Sequence, residues 1–302
     1  TAGNNTITTG TGADLITLGT GNDTVTSGTG NDTLAVATAQ LTTADTVNGG
    51  DGTDTLRTSD VMDLADADFT NVTNVETITV ATTTHAMTLI MGAETSEAGI
   101  STVTLGNAAN AITVGAGHTG ALTINQSGAT AGAGTDTIDA SAYTGTLTVG
   151  LESDIQGADT ITGGTGTNDT LSITAVASED LAAADLNTVT AFENVVIAND
   201  VAFQLVTDDL MNGTIAMDVD ATAMATTVFT FSGAAEDDGT FNITAGGTAA
   251  HSITLGNLAD TLTSTSTGNV TVVGTAGNNT ITTGTGGDLI TLGTGNDTVT
   301  SG

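Results

Sequence analysis

Hydrophobic and polar positions in the first 35 residues recur every nine. Residues 9–17, 18–26 and 27–35 each read x-Gly-Thr-Gly-[Ala/Asn]-Asp-x-[Ile/Val/Leu]-x. The eighth place (Ile16, Val25, Leu34) carries an aliphatic side chain, flanked by Thr or Ala except for Leu15 before Ile16, so the pattern predicts a strand of about three residues that buries its middle one. One block has no core of its own. The glycines ahead of each strand allow sharp turns, so the chain is predicted to coil and to bury its aliphatic column by stacking coil on coil.

The middle of the chain keeps a weaker alternation. Leu122/Ile124, Leu147/Val149, Leu171/Ile173, Phe241/Ile243 and Val270/Val272 alternate with polar residues and predict further short strands. Residues 63–76 and 180–193 echo each other at an offset of 117 residues. In these modules Leu64, Ala65, Ala67 and Leu181, Ala182, Ala184 predict one or two helical turns, followed by strands at 78–80 and 195–197. The expected fold is therefore all-β: a right-handed parallel β-solenoid with short helical excursions and no linker. Its expected parts are a block at 1–35, a continuous solenoid at 36–273 and a second block at 274–302. Residues 1–28 recur as 275–302 with one difference, Ala13 against Gly287. That recurrence predicts one period of a longer tandem array plus an overlap, the alternative being one protein with two similar caps. Thr1 is not an initiator, which fits a processed chain or an internal segment.

Charge changes the picture most. The chain has 34 acidic residues, one basic residue (Arg57) and three histidines, for a net charge of −33. Carboxylates stacked at the strand spacing of roughly 4.8 Å would repel by about 3.5 kcal/mol per pair at an effective dielectric near 20. Salt bridges cannot offset this with a single arginine. A hard divalent cation can, because calcium takes six to eight oxygens from carboxylates and backbone carbonyls, and glycine-rich turns expose such carbonyls.

Other compositional facts exclude classes. There is no cysteine and no proline, so no disulfide framework exists, and 38% apolar residues are too many for a disordered chain. No stretch approaches the roughly 18 apolar residues of a membrane span. The charge argues against nucleic acid or anionic lipid as a direct partner. His85, His118 and His251 lie far apart, without a metalloprotease, serine-hydrolase or thiol motif, so no enzymatic activity is expected. Gly115-Ala116-Gly117-His118-Thr119-Gly120 spells a dinucleotide fingerprint, but Ala121 to Ile124 reads as a strand where a helix is needed, which makes the segment a turn. Asn22-Asp23-Thr24 matches a glycosylation sequon whose Asp occupies the sixth place of a block.

The segment Gly49-Gly50-Asp51-Gly52-Thr53-Asp54-Thr55-Leu56-Arg57, with the three strict blocks, resembles the nonapeptide of secreted RTX calcium-binding β-roll proteins. The resemblance leans toward bacterial surface-layer proteins and large RTX adhesin or fibre repeats. It implies calcium held between turns two blocks apart, pairing Asp14 with Asp32, Asn5 with Asp23 and Asn279 with Asp297, while Asp288 would need a later block. Asn5 and Asn279 depart from the Asp consensus and imply weaker sites. The implied ligands are Asn5, Asp14, Asp23, Asp32, Asp45, Asp51, Asp54, Asn279, Asp288 and Asp297, with turn carbonyls of Gly10, Gly12, Gly19, Gly21, Gly28 and Gly30. Degenerate blocks add Asp136, Asp159, Asp169 and Asp260, and Asn110 stands where a fifth would have Asp. Asp63, Asp66, Asp68 and residues 236–238 are expected to face water in turns.

The expected function is a secreted structural protein at a bacterial cell surface. It would be a calcium-stabilised, self-assembling subunit or repeat of a surface layer, fibre or biofilm matrix, with further copies of itself and cell-surface polysaccharide as partners. An alternative is the tandem extender of an RTX adhesin, which could include an ice-binding face along Thr20/Thr29 and Asn22/Asn31.

Overall fold

The computed structural model describes residues 2–80, 85–126, 134–152, 159–174, 179–181, 186, 188–207 and 216–302. Among the described residues the strands pair in parallel, each with the strand one coil further on, so the fold is a parallel β-solenoid that fits the right-handed β-roll expected. The coil length is set by the sequence. Thr6 pairs with Thr24 and Leu15 with Thr33, so two nonapeptides make one coil of 18 residues. Outside the strict blocks the coils widen, to 22 residues at Thr33↔Thr55 and 25 at Thr77↔Thr102.

The chain divides into two compact units, 1–149 with 163–167 and 150–162 with 168–302. In the first, strands Leu15–Thr17, Thr33–Val36, Thr55–Thr58, Thr77–Val80, Thr102–Leu105 and Ala121–Gln126 pair in that order. Thr6–Thr8, Thr24–Thr26, Thr46–Asn48 and Val72–Thr73 form another face, and Met62–Leu64, Met87–Met91, Ala111–Val114 and Thr137–Asp139 a third. In the second unit, Thr170–Thr174, Asn194–Ile197, Ala216–Ala221, Thr240–Ala245, Thr261–Ser264, Thr280–Thr282 and Thr298–Thr300 pair successively. A further face runs from Glu179–Leu181 through Phe203–Val206, Phe229–Ser232, Ser252–Thr254 and Thr271–Val273 to Leu289–Thr291. Its coils shorten from 24 residues at Asn194↔Asp218 to 18 at Thr280↔Thr298, where the strict nonapeptide returns.

Packing follows the eighth-place rule. Ile16, Leu34, Leu56, Ile78, Val103 and Ile124 stack as one buried column, and Val25, Val47 and Val72 as another. In the second unit Leu171, Val195, Val219, Ile243, Leu262 and Ile281 do the same. Their neighbours point out, so Leu15 is 64% exposed although it precedes a buried isoleucine. Wider coils need more filling, which Phe229, Phe231 and Phe241 supply, the last two meeting edge to face at 5.0 Å.

The helical expectations need correction. Leu64 ends the strand Met62–Leu64, and the helical turn after it is a 3₁₀ segment at Asp66–Phe69. The α-helix Ala93–Ala98 has no counterpart among the expectations. It is capped from the preceding coil: Asp66 accepts hydrogen bonds from the backbone N–H of Gly92 (2.8 Å), Glu94 (3.2 Å) and Thr95 (2.8 Å). Gly99, with φ of 100°, ends it. The second expected excursion, at Ala182 and Ala184, lies outside the described residues. Strands Thr77–Val80 and Asn194–Ile197 form where expected, and the glycine-rich 115–120 segment leads into the strand Ala121–Gln126 as a turn. Among the described residues no helix is long and apolar enough to cross a membrane.

Candidate metal centre

The residue immediately before each strand sits at a coil corner, and there the side chains form ladders. Asp14 N–H donates to Asp32 Oδ1 at 2.7 Å, Asp32 N–H to Asp54 Oδ1 at 2.7 Å, and Asp54 N–H to Glu76 Oε2 at 2.7 Å. On another face Asn5 N–H donates to Asp23 Oδ1 at 2.8 Å and Asp23 N–H to Asp45 Oδ1 at 2.7 Å. Each corner side chain thus accepts the backbone N–H of the corner before it, a donor that the strand pairing leaves over. Three of the implied pairs, Asp14 with Asp32, Asn5 with Asp23 and Asn279 with Asp297, are brought together in this way.

One oxygen per carboxylate is enough for that bond. The second oxygens of Asp32, Asp54 and Asp288 are buried and make no hydrogen bond among the described residues. Asp32 and Asp54 are each 2% exposed. An unpartnered, desolvated carboxylate oxygen is costly, and repeated like charges along one corner add to the cost. Asp54 shows it: burial, with the charges of Asp32 and Glu76, pushes its carboxyl above the usual range against the opposing Asp32 N–H bond. Asp23 is held below that range, chiefly by the N–H of Asn5 and against the effect of burial.

Calcium fits this donor set. Among the described residues no three acidic or histidine side chains converge, so an ion must take carboxylate oxygens together with carbonyls of the glycine turns, which is ordinary calcium chemistry. Those turns stack backbone on backbone. Gly28 has φ of 104°, and a Cβ there would overlap the Gly10 carbonyl oxygen, so only glycine permits the approach. Gly30 stands in the same relation to Gly12.

Asparagine rungs solve the problem differently. Asn279 Oδ1 accepts Asp260 N–H at 3.0 Å while its Nδ2 donates to Asp297 Oδ1 at 3.1 Å. Asn110 repeats this between Met87 N–H (3.0 Å) and Asp136 Oδ1 (3.1 Å), and Asn5 Nδ2 donates to Asp23 Oδ1 at 3.0 Å. The Asn279 amide oxygen thus accepts a backbone N–H, and its amide N–H is turned toward the next carboxylate.

Other candidates separate by geometry. Asp51 is exposed at the third place of its block, outside the ladder. Asp45 is buried, but its second oxygen accepts from Thr42 N–H and Oγ1, both at 2.9 Å. Asp260 likewise uses both oxygens, on Phe241 N–H and Gly256 N–H at 2.8 Å, and burial raises its pKa. Asp136 Oδ2 accepts from Gln126 Nε2 at 3.0 Å. Asp159 and Asp169 are buried, and Asp169 N–H donates to Glu193 Oε2 at 2.8 Å. Asp288 Oδ1 accepts Val270 N–H from the coil before it, at 2.8 Å. Glu236, expected in water, is fully buried and accepts from Gly239 N–H at 2.7 Å.

Glu76, Glu193 and His251 are the rungs that sequence reasoning missed. His251 Nδ1 accepts Phe229 N–H at 3.1 Å, with Nε2 2.6 Å from the Gly246 carbonyl. The available signal was an acceptor directly before a polar-aliphatic pair, as in Glu76-Thr77-Ile78 and His251-Ser252-Ile253.

A family model described as RTX calcium-binding nonapeptide repeat (4 copies) matches residues 1–34, 42–60, 156–171 and 265–302. No curated protein and no solved structure matches the chain. Asn110, Asp136 and Asp260 occupy ladder positions outside the matched stretches.

Proposed function

We propose, from the premise that this chain carries RTX calcium-binding nonapeptide repeats on a parallel β-solenoid, that it is a secreted, non-enzymatic structural protein. In this reading it is a calcium-stiffened subunit or repeat of a bacterial surface layer, fibre or biofilm matrix. The repeats bind calcium. The observation that carries the rest is the corner ladder, whose buried, unpartnered carboxylate oxygens have no internal counter-charge. Arg57 is the one Lys or Arg in the chain, and its Nε is itself buried without a hydrogen-bond partner among the described residues.

Calcium supplies that counter-charge as part of the folded structure, so folding follows the calcium concentration. In a calcium-poor compartment the acidic corners repel one another and the coils that carry them loosen. Extracellular calcium sites have dissociation constants of about 10⁻⁴ to 10⁻³ M, so outside the cell the corners fill and the coils lock. Stacked coils with polar threonine faces are suited to scaffolding rather than chemistry. Lateral or end-to-end association with further copies then builds the layer or fibre.

The test is a circular dichroism titration of the full chain with calcium and then chelator, followed by light scattering and electron microscopy of the calcium-loaded product. Strand signal that appears with calcium, and ordered assemblies in millimolar calcium, support the reading. A chain folded equally in chelator removes the calcium-driven step, and one that stays monomeric in millimolar calcium removes assembly.

A further inference from the structure

The nonapeptide matches stop at residues 60 and 171, but the ladder continues one rung beyond each. The next corner is a glutamate both times: Asp54 N–H donates to Glu76 Oε2 at 2.7 Å and Asp169 N–H to Glu193 Oε2 at 2.8 Å, the geometry of Asp14 on Asp32. The two modules also share a turn. The residue two before each glutamate has a positive φ, 53° at Asn74 and 61° at Ala191. In the first module Glu76 N–H and Thr77 N–H both donate to the Asp54 carbonyl, at 3.1 and 3.0 Å. No glycine pair precedes either glutamate.

A cap alone does not require an acid there. Asn110 and Asn279 accept the same backbone donor and give the next carboxylate their own amide N–H as a hydrogen-bond donor. At Asp54 and Glu76 two acids are kept instead, and Asp54 is 2% exposed with Oδ2 buried and unpartnered. That oxygen faces a cradle left by a missing side chain. A Cβ on Gly49 would lie 2.6 Å from Asp54 Oδ2 and would overlap the Asn74 carbonyl oxygen. A carboxylate oxygen and a carbonyl oxygen therefore meet over Gly49, with the Glu76 carboxylate on the backbone N–H of the same aspartate.

We propose that Glu76 closes a divalent-cation site of calcium type with Asp54 and the Asn74 carbonyl. The inference rests on the calcium reading above. It extends the ion ladder one rung past the nonapeptide match that ends at residue 60, and it makes the glutamate, not a sixth-place aspartate, the terminal ligand there.

The experiment counts calcium bound to the full chain by native mass spectrometry and isothermal titration, for wild type and Glu76→Gln. Glutamine keeps an oxygen for the Asp54 N–H, so the ladder bond survives and only the charge is lost. The variant is expected to bind one ion fewer, with unchanged circular dichroism in calcium. A folded variant with the wild-type ion count overturns the proposal while leaving the nonapeptide sites standing. A wild-type chain that binds no calcium overturns both readings together. Should a variant not fold, hydrogen exchange on wild type decides: residues 71–77 gain protection with calcium if Glu76 is a ligand, whereas protection confined to the 14–34 corner overturns the proposal.

Discussion

Replacing Asp32 by asparagine separates the two roles of a corner carboxylate. The backbone bond should survive, because Asn279 already shows how an asparagine sits between two aspartates in this ladder, with Oδ1 on the preceding N–H and Nδ2 on the next carboxylate. Only the charge is removed. In chelator that is a gain. Asp32 lies one strand spacing from both Asp14 and Asp54, and each like-charge contact costs between about 1 kcal/mol in water and about 3.5 kcal/mol at an effective dielectric of 20. Since Asp14 is partly exposed and the new amide also donates a hydrogen bond, Asp32→Asn is expected to stabilise the calcium-free fold by about 1 to 3 kcal/mol. In calcium the balance reverses. At about 10 mM calcium, a site with a dissociation constant of 10⁻⁴ to 10⁻³ M adds about 1.4 to 2.7 kcal/mol, and Asp32 serves the rungs on both sides. The calcium-linked increment should therefore fall by about 3 to 5 kcal/mol. Urea unfolding followed by circular dichroism, in chelator and in calcium, reads both quantities. If the variant is less stable than wild type in chelator, or if the calcium increment is unchanged, then the ladder is not a row of repelling carboxylates clamped by an ion.

Gly28→Ala should cost more than about 2 kcal/mol, combining the left-handed backbone with overlap on the Gly10 carbonyl, whereas Gly10→Ala, with nothing within 4 Å of the new methyl, should change stability by under about 0.5 kcal/mol; thermal melts in calcium compare them. Asp200 accepts from the N–H and hydroxyl groups of both Thr226 and Thr227, which hold its carboxyl near a pKa of about 2. Its contribution is present above the ordinary carboxylate pKa of about 4 and is lost as pH falls toward 2, and Asp200→Ala should speed amide exchange at Thr226 and Thr227 at neutral pH. His118 is fully buried, 3.3 Å from Thr95 Oγ1 and beside Tyr143, and burial lowers its pKa. The fold then favours the neutral ring, so its contribution is complete above the ordinary value of about 6.5 and declines as pH drops through it. An imidazole resonance titrating at 6.5 or above would contradict this.

The strict blocks could be read from sequence because every requirement of their coil is local: one aliphatic for the column, glycines where Gly28 must approach Gly10, and an acceptor before each strand. The widened coils could not. The helix at Ala93–Ala98 depends on Asp66, whose carboxylate meets Gly92 across 26 residues of chain, and no pattern within the helix announces a cap supplied by another coil. Glu236 was misplaced for the same reason. Three adjacent acids read as a solvated turn, yet the first bonds back to Gly239 N–H and is buried beneath the turn it stabilises.

At the site, the nonapeptide pattern joins two demands that the structure separates. A corner must accept a backbone N–H, which Asp, Asn, Glu and His251 all do, and it must settle the charge of its neighbours, which they do differently. Reading only the sixth-place Asp or Asn as a corner therefore missed Glu76 and Glu193 as rungs of the ladder. The separation also assigns calcium dependence along the chain. The Asp14, Asp32, Asp54 and Glu76 run has no internal neutraliser and should loosen in chelator, whereas Asn110 with Asp136 and Asn279 with Asp297 carry their own N–H donor and should persist. Hydrogen exchange in chelator distinguishes the two classes, and equal loss of protection at both would mean that amide and ion are not interchangeable at these corners.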